Sequence, residues 1–274
     1  MSSRPEPVTP KLLRDWPLPA VGDSKYSRGQ VVIVGGAASS PGAALLAGVA
    51  SLRIGAGRLA LAVDRSVATA VAVALPECAV IPLSDSLHPA RDELAAADAV
   101  LLGPGLDDAD RTLGFVADLV ASTEATVVLD AFALGVLPRS DVETLQGRLI
   151  LTPNKVEAAL LLDADENDLD LHRDVPRIAE RFGAIVTCYG IVSDGNRVLR
   201  VDAGGAGLGT SGSGDVLAGA ITGLAARGAD PLQAAVYGTW AHAASGDRLE
   251  ASIGPIGFLA RELADELPIT LCTL

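Results

Sequence analysis

The chain has 274 residues, 34 of them acidic against 21 Lys and Arg, a formal net charge of −13 and a 49% hydrophobic composition that is only 3% aromatic. The negative charge excludes nonspecific binding to nucleic acid or to an anionic membrane surface. The scarcity of aromatic rings calls for a core of small, closely packed Ala, Val, Leu and Ile, large enough for one α/β domain.

Residues 1–24, in a proline-rich opening of mixed charge, read as an N-terminal arm ahead of a single domain over 25–274. The opening has no apolar signal core. Val31–Val34, ended by Gly35-Gly36, is a short buried strand entering a turn. Ala43–Ile54 reads as an Ala/Leu helix, and Arg58–Val63 as the next strand. The apolar stretch from Pro41 to Val63 is broken by Arg53, Arg58 and four glycines, so it is not a membrane span. Further strands are expected at 99–102, 126–129, 149–151 and 184–187, with helices over 110–122, 156–162 and 175–182. Val192–Val201, with Asp194-Gly195-Asn196 at its turn, reads as an antiparallel hairpin at a sheet edge. Helices are expected from Asp215 onward, including 231–248 and 257–267, and Ser245-Gly246-Asp247 reads as a turn. Strands alternating with helices predict a mostly parallel central sheet with helices on both faces. Ligands of such sheets lie beyond the carboxyl ends of the strands, where loops 35–42, 103–107, 130–132, 152–157 and 203–215 fall.

The most informative of these loops runs from Gly204 to Asp215, with six glycines in twelve residues before an apolar, helix-patterned run. Glycines let the backbone approach a ligand closely, and a helix start offers free amides and a positive dipole end. Gly209, Thr210, Ser211, Gly212, Ser213 and Gly214 therefore form a candidate phosphate cradle. Asp215 stands at its edge, either as a helix cap or as a base for a bound proton donor. Lysine occurs only at 11, 25 and 155, so no P-loop lysine is present here. Gly103-Pro104-Gly105 leaves bare backbone after a strand, and Asp130 ends another with a carboxylate that suits a cap or a ligand. In Thr152-Pro153-Asn154-Lys155-Val156-Glu157, Asn154 and Glu157 have the spacing of a capping box; the alternative is that they organise a phosphate, a metal-bound water or the substrate. Gly55-Ala56-Gly57-Arg58-Leu59-Ala60 spells a dinucleotide fingerprint but precedes a strand, the wrong order for that motif. Residues 163–174 fail the EF-hand pattern, and no Gly-x-Ser-x-Gly elbow is present. Cys78, Cys188 and Cys272 form no C-x-x-C pair and the three histidines have no ligand spacing, so no direct metal ligand is assigned and a reduced, cytoplasmic setting is expected.

In order, Pro41–Gly48, Arg53–Gly57, Gly103-Pro104-Gly105, Leu129-Asp130-Ala131, Leu151-Thr152-Pro153 and Gly209–Gly219 resemble the ADP-dependent (S)-NAD(P)H-hydrate dehydratases of the ribokinase-like superfamily, over roughly residues 25–267. The resemblance implies a hydro-lyase that removes water from the S epimer of hydrated NADH or NADPH, using ADP or ATP with magnesium and releasing AMP and phosphate when ADP is used. It implies that Asp215 is the general base, that the 209–214 amides form the anion hole, and that Ala43, Gly105, Asn154 and Asp215 contact the substrate. Glu157 and Asp130 are candidates to organise phosphate or magnesium. It further implies a homo-oligomer, with a tetramer as the expected form, and epimerisation supplied by a separate protein. Three positions depart from the family pattern: Asn154-Lys155-Val156-Glu157 replaces His-Pro-Gly-Glu, Cys188-Tyr189-Gly190 replaces Leu-Lys-Gly, and Asp130-Ala131-Phe132 replaces Asp-Ala-Asp. Asn-x-x-Glu is also found in ribokinase-like sugar and vitamin kinases, which keeps open an ATP- and magnesium-dependent kinase acting on a small-molecule hydroxyl.

Overall fold

The computed structural model describes residues 5–274. Ten strands form one sheet: β1 (Glu6–Pro7), β2 (Gln30–Val34), β3 (Arg58–Asp64), β4 (Ala79–Leu83), β5 (Ala99–Leu102), β6 (Thr126–Leu129), β7 (Leu149–Leu151), β8 (Ile185–Cys188), β9 (Ile191–Ser193) and β10 (Val198–Arg200). Their order is β1-β10-β9-β8-β7-β6-β5-β2-β3-β4. The run from β8 to β4 is parallel throughout, whereas β8, β9 and β10 pair antiparallel. The expected hairpin is β9–β10, but it does not end the sheet, because Glu6 and Pro7 add a parallel strand outside β10.

Eleven α-helices accompany the sheet: α1 (Pro10–Asp15), α2 (Pro41–Arg53), α3 (Ala68–Ala74), α4 (Arg91–Ala95), α5 (Ala109–Ser122), α6 (Phe132–Val136), α7 (Lys155–Leu162), α8 (Leu171–Phe182), α9 (Ser213–Ala226), α10 (Pro231–Ser252) and α11 (Ala260–Leu271). Successive strand residues point to opposite faces, so Val31 and Ile33 of β2 enter one core while Val32 and Val34 enter the other. The first core is shared with α2, α9, α10 and α11, and the second with α5 to α8. The arm is tied to the first: Leu13 is fully buried, the Tyr237 hydroxyl donates to the carbonyls of Leu13 and Trp16, and the Gln233 amide donates to those of Trp16 and Pro17 at 3.0 Å.

Three expectations need correction. The helix after the glycine loop starts at Ser213, not Asp215, because Gly212 adopts φ 87 and turns the chain into the helix two residues early. Ser245-Gly246-Asp247 is no turn but lies inside α10, where Ser245 is buried against Thr270 and Gly246 accommodates Leu208. The last helix runs 260–271, since Gly254 and Gly257 hold positive φ and delay its start. β4 has no counterpart in the sequence reading because Pro82 and two exposed positions break its apolar pattern.

α2 and α9 cross in near-backbone contact. A Cβ on Gly219 would lie 2.2 Å from the Ala47 carbonyl oxygen, and one on Gly223 would lie 2.7 Å from that of Ser51. The buried Ser51 hydroxyl lies 2.9 Å from both the Ala47 and Gly219 carbonyl oxygens and closes the crossing with a hydrogen bond. Gly219→Val is expected to destabilise the protein by about 3 kcal/mol or more, read from urea unfolding. A loss below about 0.5 kcal/mol would mean that the crossing is not under this steric control.

Candidate active site

The carboxyl ends of β2, β5, β6 and β7 are laced together by backbone hydrogen bonds. Gly36 N–H donates to the Pro104 carbonyl and Ala37 N–H to that of Gly105, both at 2.8 Å. Asp130 N–H donates to Leu102, and Thr152 N–H to Leu129. Gly105 has φ 70, and a Cβ there would meet the Ser40 carbonyl oxygen at 2.3 Å and Ala43 Cβ at 3.1 Å. Ala43 and Gly105, 62 residues apart in sequence, are thus neighbours on one wall.

The glycine loop forms the opposite wall. Val216 N–H donates to the Gly212 carbonyl as α9 begins. Asp215 is the third residue of that helix, half-buried, and no side chain caps the helix end. The helix-cap alternative for Asp215 therefore does not hold. Its Oδ2 lies on the same side as Gly212, about where a Gly212 Cβ would come within 3.8 Å. Gly209 and Gly214 differ from the other glycines of the loop. Neither has positive φ, and a Cβ on either would meet nothing within 4 Å. Folding does not require glycine at these two positions; the bare backbone there suits the close approach of a ligand. Ser213 is fixed from behind by His242 of α10, whose Nε2 lies 3.0 Å from the Ser213 carbonyl oxygen and 2.9 Å from its hydroxyl. A carbonyl only accepts, so Nε2 carries a proton. Burial depresses the His242 pKa to about 4, so the ring is neutral at physiological pH. No local sequence signal points to this histidine, which comes from 29 residues away.

Between the walls lie the acids. Asp130 is buried at the end of β6, and Thr152 Oγ1 donates to its Oδ1 at 2.7 Å. Its pKa is pushed up to about 8, first by burial, and further by the negative charges of Asp215 and Glu157. Burial alone pushes Asp215 up to about 6. Ala131, immediately after Asp130, holds φ 49, an uncommon conformation for a residue with a side chain. Asn154 and Glu157 complete a capping box: Glu157 N–H donates to Asn154 Oδ1 at 2.9 Å and Asn154 N–H donates to Glu157 Oε2 at 2.8 Å. Both residues are committed to starting α7, and the Glu157 charge is close enough to act on Asp130. Among the described residues no group of three His, Cys, Asp or Glu is placed to hold a metal ion by itself. The carboxyl groups of Asp130 and Glu157 are hard oxygen donors whose ionisation is disfavoured first by burial, a setting that a magnesium-bound polyphosphate would relieve.

The profile of the NAD(P)H-hydrate dehydratase family matches residues 31–269. The chain belongs to that family. The ADP-dependent (S)-NAD(P)H-hydrate dehydratase of Xanthomonas campestris is 42% identical over 276 aligned positions, spanning 95% of this chain and 94% of that one. The bifunctional NAD(P)H-hydrate repair enzyme of Moorella thermoacetica is 34% identical, and the match covers 90% of this chain but half of the relative. Among solved structures, a ribokinase-like superfamily protein from Enterococcus faecalis superposes with a TM-score of 0.86 at 20% identity, covering 98% of this chain and 95% of the other. The ADP/ATP-dependent NAD(P)H-hydrate dehydratase of Bacillus subtilis, co-crystallised with ATP and magnesium, gives 0.77 at 23%, covering 93% and 92%. These likenesses establish the ribokinase-like fold over nearly the whole chain. Among the described residues no helix is long and apolar enough to cross a membrane.

The raised Asp130 pKa carries a stability consequence. Its folded-state value lies above the unfolded one, so the folded chain binds the proton more tightly. That stabilisation is whole below about pH 4 and is lost as pH rises through about 8. Without nucleotide or magnesium, the unmutated protein is expected to lose on the order of a few kcal/mol across this window. Asp130→Asn, which keeps an acceptor for Thr152, is expected to flatten the profile. Parallel profiles for the two proteins in urea unfolding between pH 5 and 8 would contradict this assignment.

Proposed function

We propose that this dehydratase-family chain restores NADH and NADPH from their S-hydrates at the expense of ADP, releasing AMP and phosphate. The reading is supported above all by Asp215. It is a carboxylate at the rim of an amide-lined cradle, with a pKa of about 6, so it is ionised at neutral pH yet basic enough to accept a proton. The 42% identity to the Xanthomonas dehydratase over nearly the full length of both chains supports the same reaction and favours it over a small-molecule kinase.

Each residue then has a task. Asp215 takes the proton from the hydroxyl on the hydrated nicotinamide ring as that oxygen attacks the β-phosphorus of ADP, and the bond from that phosphorus to the α–β bridging oxygen breaks to release AMP. The amides of Gly209–Gly214 face the charge that grows on the transferring phosphoryl group, a stabilisation that preorganised dipoles provide without rearrangement. The phosphorylated carbon–oxygen bond then breaks as the ring double bond re-forms, because phosphate leaves far more readily than hydroxide. Ala43 and Gly105 offer a small, flat wall for the nicotinamide nucleotide, since any larger group at Gly105 would strike Ser40 and Ala43. Asn154 and Glu157 shape the corner beside them. Magnesium bound to the nucleotide would neutralise charge on the phosphates, and Asp130 and Glu157 are the residues that would hold its hydration shell. ADP is proposed as the working phosphate donor, in the cytoplasm, by a homo-oligomer. Epimerisation of the R-hydrate is proposed to come from outside these 274 residues.

Incubating the protein with the S-hydrate of NADH, magnesium and ADP is expected to restore absorbance at the reduced-nicotinamide band. No recovery with ADP or ATP would overturn the reading. The rate is expected to rise with pH through about 6, the Asp215 value. Asp215→Asn is expected to lower kcat about 10³-fold and abolish that rise while leaving ADP binding in place. A residual rate above about a tenth would remove Asp215 from the base role.

Gly214→Ala offers a complementary test. Alanine has room at this helical position and is the better helix former, so urea unfolding should show unchanged or slightly raised stability. Turnover is expected to fall about tenfold or more as the methyl group enters the phosphate space. Full activity in this variant would argue that phosphate does not approach Gly214.

A further inference from the structure

Two side chains at the mouth of this site sit where local folding does not place them. Lys155 is the first residue of α7, a positive charge at the positive end of the helix dipole, where acidic residues are favoured. Tyr189 opens the two-residue turn Tyr189-Gly190 between β8 and β9 with φ 47, a position that suits Asn, Asp or Gly and not a bulky aromatic residue. Its side chain is left 68% exposed, so burial does not explain the choice either. Departures from local preference of this kind concentrate at functional sites. The two residues are placed against each other, with Lys155 Nζ 5.3 Å from the centroid of the Tyr189 ring. Neither side chain forms a hydrogen bond or an ion pair among the described residues. An ammonium group resting on a ring face keeps its charge and its N–H donors for another partner.

The pair also stands in the right place. Val201 N–H donates to the Gly190 carbonyl at 2.8 Å, which ties the Tyr189-Gly190 turn to the strand end where the glycine loop begins. On the other side, both Glu157 and Lys155 act electrostatically on Cys188 at the end of β8. Lys155 therefore spans from the Asn154–Glu157 corner toward the loop. Of the five loops at this end of the sheet, 35–42, 103–107, 130–132, 152–157 and 203–215, it is the sole Lys or Arg. The same region holds the acids Asp130, Glu157 and Asp215. A polyphosphate entering it would meet three carboxyl groups, of which Asp130 is held largely protonated, and one side-chain cation.

We propose that Lys155, propped on the Tyr189 ring, is the cation that pairs with the phosphate oxygens of the nucleoside diphosphate, with Tyr189 acting as its positioning residue. This rests on the dehydratase reading for its substrate, and it gives a purpose to two positions where the chain departs from the family's His-Pro-Gly-Glu and Leu-Lys-Gly patterns, Lys155 and Tyr189.

The test varies ADP·Mg and the S-hydrate independently in steady-state assays of the unmutated protein, Lys155→Met, Lys155→Arg, Tyr189→Ala, Tyr189→Phe and, as a distant control, Lys25→Met. Titration calorimetry with ADP·Mg accompanies the assays. Lys155→Met is expected to raise the KM and Kd for ADP about tenfold while the KM for the hydrate stays within about twofold. Lys155→Arg and Tyr189→Phe are expected to restore most of the affinity, and Tyr189→Ala to lose about threefold. Lys25→Met is expected to match the unmutated protein. An ADP Kd for Lys155→Met within twofold of the unmutated value would overturn the proposal. An equal rise in both KM values would overturn it as well, since it would mark a general disturbance of the site. Failure of the unmutated protein to restore NADH would sink the proposed reaction, while the calorimetric comparison would still decide the role of Lys155.

Discussion

The site depends on the close crossing of α2 and α9. Glycine at 219 and 223 lets the two helices approach backbone to backbone, and the Ser51 hydroxyl, lying between the Ala47 and Gly219 carbonyls, bonds within the contact. At this separation the relative positions of the helix starts are not adjustable. α2 carries Ala43 on its first turn and α9 carries Ser213, Gly214 and Asp215 on its own. The distance between Ala43 and Asp215 is therefore set by a contact that includes neither side chain. The same crossing explains the low aromatic content, because a ring between the helices would separate the two halves of the site.

On this frame the electrostatics are arranged by burial. Asp130 and Asp215 are withdrawn from water, which raises both above the ordinary carboxylate range, but to different extents. The deeper Asp130 is held in place by Thr152, whereas Asp215, at the start of a helix, faces the amides of its own loop. His242 contributes by being neutral: it holds Ser213 by hydrogen bonding without burying an unpaired charge behind the glycine loop. One carboxylate is thus suited to remaining protonated and the other to accepting a proton, although the residue type is the same.

Much of this was legible in the sequence. Short apolar runs ended by Gly-Gly, Gly-Pro-Gly, Asp-Ala and Thr-Pro located the strand ends, because a buried parallel strand has a distinct composition and its exit turn uses distinct residues. The glycine loop stood out by composition in the same way, as a candidate anion site. What escaped had no local signature. The start of α9 moved to Ser213 because the left-handed Gly212, not the first acidic residue, begins the helix. Ser245-Gly246-Asp247 looks like a turn, yet it lies inside α10 because Gly246 makes room for Leu208 and Ser245 meets Thr270 across helices. Asp247 is also engaged at a distance, accepting from Gly204 N–H at the head of the glycine loop. His242, Lys155 and Tyr189 matter through partners far away in sequence, and no window of neighbouring residues contains that information.

The two margins of the sheet have a further consequence. On one side, β1 contributes just Glu6 and Pro7, the second of which has no backbone N–H to offer. On the other, β4 has Pro82 near its end, opposite Val63. A ten-stranded sheet with open margins would be a template for uncontrolled strand addition, and here both margins stop such growth. The chain can therefore be built from strongly strand-forming Val, Ile and Leu and still resist fibrillar self-association.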